Sequence, residues 1–251
     1  YFHLPRRQIN PNSDQLKTYC NQSFTFNPSF PYRGFHLHTL HASEWVEGFL
    51  MGKTDVAKDT IRWLARNMQN TFDLSLLRMK RDKLKSYLKP LFQFSKDLGV
   101  YPGVSLGISL HQQNSYKLLG LIRSVTGFRS KEVLRKNLQK LINDLAPSFI
   151  TLEAGTSEFT PVNYERAIAW MNEAGKLTRK QGIQTFIKVH VSSNQNHPKY
   201  GNFNFLPKYS EPSVGVWPHT VMFYSIYDEY VPMYGNKTFS HIKTFMEEEA
   251  P

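Results

Sequence analysis

Nine histidines occur in the 251-residue chain, and six of them fall in or beside stretches that read as strand ends. The first such stretch carries His36 and His38, with His41 just beyond. His111 closes a Gly-Val-Ser-Leu-Gly-Ile-Ser-Leu run and is followed by Gln112 and Gln113. His190 ends another run, with Ser192, Ser193, Asn194 and Gln195 after it. His219 follows Pro218, and Tyr224, Tyr227 and Asp228 come next. Two carboxylates join this set, Glu153 at the end of Phe149-Ile150-Thr151-Leu152 and Glu158 shortly after. Imidazoles and carboxylates are the groups that move protons or bind metals near neutral pH. Side chains alternate across a strand, so His36 and His38 share a face, as do Ser109 and His111, Thr151 and Glu153, and Lys188 and His190. A carboxylate behind an apolar run is costly to bury without a partner or a purpose, which singles out Glu153. Glu158, within Ser157-Glu158-Phe159-Thr160, suits a helix cap equally well. A lone histidine at a strand end is more often a hydrogen-bonded packing residue than a ligand. Asn194 suits a sugar hydroxyl or a plain loop.

These residues need a scaffold that brings strand ends together, and the pattern from Arg33 onward supplies one. Strand-like runs at Gly34–Thr39, Phe72–Leu77, Gly103–Leu110, Ser148–Glu153, Gln184–Val191 and Val214–Ile226 alternate with helical stretches. Phe72–Leu77 is the ambiguous one, because Leu74, Leu76 and Leu77 also suit a helix. The helices are expected from Ser43 and Glu44, over 55–69, over 82–98 closed by Gly99, over 130–145 with Ser130 as N-cap, over Asn163–Gln181 closed by Gly182, and over Phe239–Glu249. Val133, Leu134, Leu138, Leu141 and Ile142 form the expected inner face of the 130–145 helix. Residues 1–32, with Pro5, Pro11, Pro28 and Pro31, read as an irregular lead-in, and 33–251 as one barrel-like domain.

Alternating strands and helices imply a parallel sheet with crossover helices. Either a (β/α)8 barrel or an open doubly wound sheet satisfies that pattern. No G-x-G-x-x-G or P-loop favours the nucleotide-binding alternative. The expected fold is therefore α/β, a parallel TIM-like barrel, incomplete in that six strands are visible and two more units could follow Pro251. In such folds the site lies at the C-terminal ends of the strands, where the residues above fall.

Composition narrows the classes further. A 40% hydrophobic and 20% charged chain is ordinary for a globular protein. No run approaches the ~18 apolar residues of a membrane-spanning helix. The single cysteine, Cys20, excludes an internal disulfide framework. Lys and Arg number 31 against 20 Asp and Glu, for a net charge of +11. Much of it sits at 78–89 and 123–140, which suits the solvated faces of outer helices. Without a zinc finger, an RNP motif or an Arg-rich arm, nucleic acid is not the expected partner. Starting at Tyr1, the chain is expected to be a processed or excised piece. Sequons at Asn21 and Asn236 fit a secreted or periplasmic protein.

Glu153, falling at the fourth strand, resembles the acid of the large clan of (β/α)8-barrel glycoside hydrolases. That resemblance implies cleavage of a glycosidic bond in a polysaccharide or glycan, with Glu153 as general acid, Glu158 and His111 beside it, and no cofactor. His36, His38, His190, Asn194, His219, Tyr224 and Tyr227 would then contact the sugar. The 18 Phe, 13 Tyr and 4 Trp include enough rings for stacking platforms. The match departs in two respects: Glu153 stands in Leu-Glu-Ala rather than Asn-Glu, and no seventh strand offers the second carboxylate. The His36-Leu37-His38 run also resembles, more weakly, the H-x-H motif of barrel amidohydrolases. That likeness implies a Zn²⁺ site of His36, His38, Glu153, His190 and His219, although Phe35 occupies the place of the usual Asp. A third class, a non-catalytic barrel-like binding or structural protein, fits a basic outer surface and missing catalytic positions. Carbohydrate hydrolysis ranks first, because the polar, aromatic-rich later loops suit an extended polar ligand.

Overall fold

Six strands run parallel in the order in which the chain makes them, each hydrogen-bonded to the next. In this computed structural model the described residues are 30–37, 44–76, 84–109, 116–153, 164–190 and 214–219, with Asp14 and Pro28. The order is β1 (Gly34–Leu37), α1 (Glu44–Phe49), α2 (Thr54–Arg66), β2 (Thr71–Ser75), a π-helical turn (Leu84–Leu88), α3 (Lys89–Asp97) and β3 (Tyr101–Gly107). It continues with α4 (Leu121–Thr126), α5 (Ser130–Leu145), β4 (Phe149–Glu153), α6 (Tyr164–Arg179), β5 (Gln184–His190) and β6 (Val214–His219). Sequential parallel strands with helical crossovers are the arrangement of a TIM-like (β/α) barrel, and the expected fold class holds.

The helices form for local reasons. In α5 the buried Leu134, Leu138, Leu141, Ile142 and Leu145 recur every three or four residues and face the sheet. Gly99 and Gly182, at φ +74° and +67°, take the left-handed turn that lets the chain leave α3 and α6 for the next strand. Ser130 is not the expected N-cap. Arg129 holds that position with φ +49°, and the Ser130 hydroxyl instead accepts a 3.0 Å hydrogen bond from Trp170 Nε1 on α6. Phe72–Leu77 resolves in favour of a strand, β2, all of whose residues are buried.

Register then assigns the two faces of the sheet. His36 pairs with Asp73, Asp73 with Gly103, and Gly103 with Phe149. Ser75 pairs with Ser105, and Ser105 with Thr151. Partners in register share a face, so these residues line one side. The other side carries Phe72, Leu74, Val104, Leu106, Ile150, Leu152 and Ile187, all buried in the core with α1, α2, α3, α5 and α6.

Candidate functional site

At the N-terminal end of the strands the non-core face is aromatic. The Phe149 and Phe186 rings meet edge-on at 5.9 Å, and Tyr32 meets Phe186 at the same distance. Glycine makes room for them. A Cβ on Gly103 would lie 2.2 Å from the Phe149 ring, and one on Gly215 would lie 2.8 Å from the Phe186 ring. Large residues on β4 and β5 thus fit against small ones on β3 and β6, the large-against-small alternation that fills a curved sheet face.

Further along the same face the chemistry changes. Glu153 ends β4, and Lys188 stands on β5. Lys188 Nζ donates to Glu153 Oε1 at 2.7 Å, and the two side chains are 5% and 9% exposed. Each charge is desolvated, and each supplies the other's compensation. The Glu153 backbone is fixed too, because its carbonyl accepts from Ile108 N at 2.9 Å. His190 lies two residues beyond Lys188 and pairs in register with His219 on β6. Both backbones are placed at the strand ends as expected, while their side chains lie outside the described residues.

A second polar pair lies lower on the face. Asp73 is fully buried, and its Oδ2 is 2.8 Å from His36 Nδ1. The separation is that of a hydrogen bond, but neither Asp73 oxygen makes a well-formed hydrogen bond among the described residues. Between the two pairs lie Ser75, Ser105 and Thr151, all buried. Thr151 Oγ1 has no hydrogen-bond partner among the described residues. A buried wall of hydroxyls, imidazole, carboxylates and ammonium is not how a sheet packs for stability alone.

The two pairs are distinct. In register His36 and Asp73 are level with Phe149, four residues before Glu153. Two strand spacings and four residues put the Asp73 and Glu153 Cα atoms roughly 16 Å apart along the sheet. Asp73 lies against His36, and Glu153 against Lys188. Sequence reasoning missed Asp73 because its strand was ambiguous. The signal was a carboxylate alternating with Phe72, Leu74 and Leu76. Lys188 was placed on the correct face, but its pairing with Glu153 was not foreseen.

His38, His41, His111, Glu158, Asn194, Tyr224 and Tyr227 lie outside the described residues. Among the described residues, no three of His, Cys, Asp and Glu gather closely enough to hold a metal. His36 and Glu153, two members of the Zn²⁺ set, are engaged with Asp73 and Lys188 respectively. A cavity of about 790 Å³ opens at the opposite end of the strands, lined by Tyr32, Lys96, Tyr101, Phe149, Arg179 and Gln184 among others. None of the candidate residues borders it. It lies at the barrel end that supports stability rather than chemistry.

No protein-family model matches the chain, and no curated protein matches it by sequence. Solved structures do. The chain is similar to an O-GlcNAc hydrolase of Thermobaculum terrenum, with a TM-score of 0.50 and 12% identity over 74% of this chain and 40% of that one. It is similar to a GH20 exo-β-N-acetylglucosaminidase of Vibrio harveyi, with a TM-score of 0.49 and 12% identity over 80% and 40% of the two chains. A D-allulose 3-epimerase of Methylomonas sp. gives a TM-score of 0.46 and 17% identity over 80% and 66%. The chain therefore spans 40% of the length of the two glycosidases. The first likeness supports the barrel fold, and at such identity it speaks for fold alone.

Proposed function

We propose that this protein is a carbohydrate-active hydrolase that cleaves glycosidic bonds in a glycan at the polar face of the sheet, with Glu153 at the reacting centre. The observation that carries this reading is the buried Glu153–Lys188 pair at the C-terminal ends of β4 and β5. Strand ends are where barrel enzymes keep their reacting groups, and a carboxylate there can exchange a proton with a leaving oxygen or attack the sugar carbon. The glycosidases among the structural neighbours are consistent with this chemistry. The hydroxyls of Ser75, Ser105 and Thr151 give the same face hydrogen-bonding capacity for a polyhydroxylated ligand.

In the role first assigned to it, Glu153 is the general acid that protonates the leaving group. Glu153→Gln keeps the shape and removes the proton. It should abolish most turnover of glycosides with poor leaving groups and spare activated aryl glycosides, which need little protonation. Equal loss on both classes would overturn the acid role, and full activity on both would overturn the site. A second reading has a specific observation behind it. The Lys188 ammonium at 2.7 Å stabilises the ionised carboxylate, the form that serves as nucleophile or base. Under that reading Glu153→Gln abolishes turnover of both substrate classes, and added azide restores turnover of Glu153→Ala on aryl glycosides.

A further inference from the structure

The crossover that leaves β3 carries side chains that the site does not use. On α4 Leu121 is 58%, Ile122 77% and Val125 57% exposed, and Phe128 just beyond is 72% exposed. Ser124 is the one buried residue of the same helix. One exposed apolar residue needs no explanation, but four large ones within eight positions form a patch that calls for an apolar partner. Beside this ridge lies a groove of about 650 Å³. Its lining includes Arg129, Lys131, Arg135 and Arg166 against Glu132 and Glu165. Arg129 is bound to Glu132 at 2.6 Å and 2.8 Å, while Arg166 donates to the carbonyls of Ser124 and Val125. Those last bonds fix the groove to the C-terminal end of α4. Arg123 adds an exposed cation on α4 itself.

We infer that α4 and the adjoining groove form a docking surface for an anionic lipid bilayer. Leu121, Ile122, Val125 and Phe128 enter the acyl boundary, and the exposed Arg123 and Lys131 meet the headgroup phosphates, while Arg129 and Arg135 are held by Glu132 and Glu173. Two features select this occupant. A nucleic acid or sulfated glycan would satisfy the cations but would leave the four apolar side chains in water. A helix whose apolar residues project into solvent, rimmed by basic ones, is the form that inserts at an interface. The overall charge of +11 favours approach to an anionic leaflet. The inference is independent of the chemistry assigned to Glu153.

The test is cosedimentation of the whole chain with vesicles of phosphatidylcholine alone and of phosphatidylcholine containing about one-third phosphatidylglycerol, a leaflet charge that attracts basic side chains. Binding is expected on the anionic vesicles only, and high salt should weaken it. Lys131→Glu should lower partitioning about fivefold or more, since each basic residue near such a surface contributes about that factor. The double substitution Ile122→Ser and Phe128→Ser should lower it at least about tenfold, through lost burial of two large side chains. These positions are exposed, so near-ultraviolet circular dichroism should not change. Three outcomes would overturn the inference: no sedimentation with either vesicle, equal sedimentation with both, or binding indifferent to the double substitution. A dimer in light scattering that the double substitution dissociates would overturn it too, by assigning the ridge to a second copy of the chain.

Discussion

The two faces of this sheet are built from alternate residues of the same strands and are almost equally buried, yet they have opposite chemistry. Leu106 and Ser105 are neighbours on β3, exposed by 1% and 2%, and Leu152 and Glu153 are neighbours on β4, exposed by 0% and 7%. Burial therefore does not tell the stabilising face from the chemical one. The distinction lies in what each buried group meets. The helix-facing residues meet other hydrocarbon and need nothing more. The opposite face holds ionisable groups and hydroxyls: Glu153 is matched by Lys188, Asp73 lies against His36, and the Thr151 hydroxyl has no hydrogen-bond partner among the described residues. One face is robust to exchange of similar residues, while the other depends on pairs.

The largest effect should come from breaking a pair. Glu153→Ala leaves the Lys188 ammonium buried without its counter-ion, and urea denaturation should show a loss of about 3–5 kcal/mol. Replacing both partners, Glu153→Leu with Lys188→Met, should recover most of that stability, because hydrocarbon of similar volume needs no counter-ion. If the double variant is no more stable than the single one, the pair is not the source of the cost.

On the helix-facing side, Leu106→Ala should cost about 2–5 kcal/mol by opening a cavity. No second substitution at a distant site should rescue it. That contrast with the rescuable ion pair is the sharpest form of the difference between the faces.

A smaller effect tests the outer layer by pH. Tyr87, on the π-helical turn, donates its hydroxyl to the Gly48 carbonyl of α1, and burial pushes its pKa from 10.0 up to about 12. The folded state thus holds the phenolic proton more tightly than the unfolded state does. Its stabilising contribution is fully present below pH 10 and is lost as pH rises through about 12. Thermal unfolding should accordingly shift downward across that window. In Tyr87→Phe this part of the shift should vanish, at a uniform cost of about 1 kcal/mol for the missing hydrogen bond.

The smallest effect is expected at Thr151. Thr151→Val removes a buried hydroxyl that lacks a partner among the described residues, so stability should stay level or rise by up to about 1 kcal/mol. Loss of glycan affinity in the same variant, measured by calorimetry, would identify the hydroxyl as a ligand contact. A clear loss of stability would show that the hydroxyl has a structural partner.

Much of the scaffold could be read from local pattern. The 3.6-residue spacing of Leu134, Leu138, Leu141 and Ile142 gave most of the inner face of α5, which the structure extends to Leu145, and Gly99 and Gly182 marked where α3 and α6 stop. Glu153 stood out because a charge after Phe149–Leu152 conflicts with burial unless something compensates it. The compensating residue did not stand out, since Lys188 lies 35 positions away and meets Glu153 only through the register of β4 on β5. Asp73 was hidden for a different reason. Leu74, Leu76 and Leu77 fit two periodicities, and a residue cannot be assigned to a face until the period is settled. The N-cap position fell on Arg129, which makes no side-chain capping bond, and the Ser130 hydroxyl is engaged by Trp170, 40 residues later. Long-range register and tertiary donors are the two kinds of information that local pattern lacks.

The sequential order of the strands bears on how the molecule comes into being. Each strand finds its hydrogen-bonding neighbour in the strand made just before it, so the sheet grows at a single advancing edge as the chain emerges during synthesis. β1 and β2 are both complete by Ser75, and every later strand adds to a template already in place. Growth of this kind never requires a new strand to be inserted between two paired ones. It also means that the newest strand always presents an open row of amides and carbonyls until its successor arrives. Slow translation through the crossovers would prolong that exposure, and the long 108–148 interval between β3 and β4, which carries the apolar ridge of α4, is where a nascent chain would wait longest.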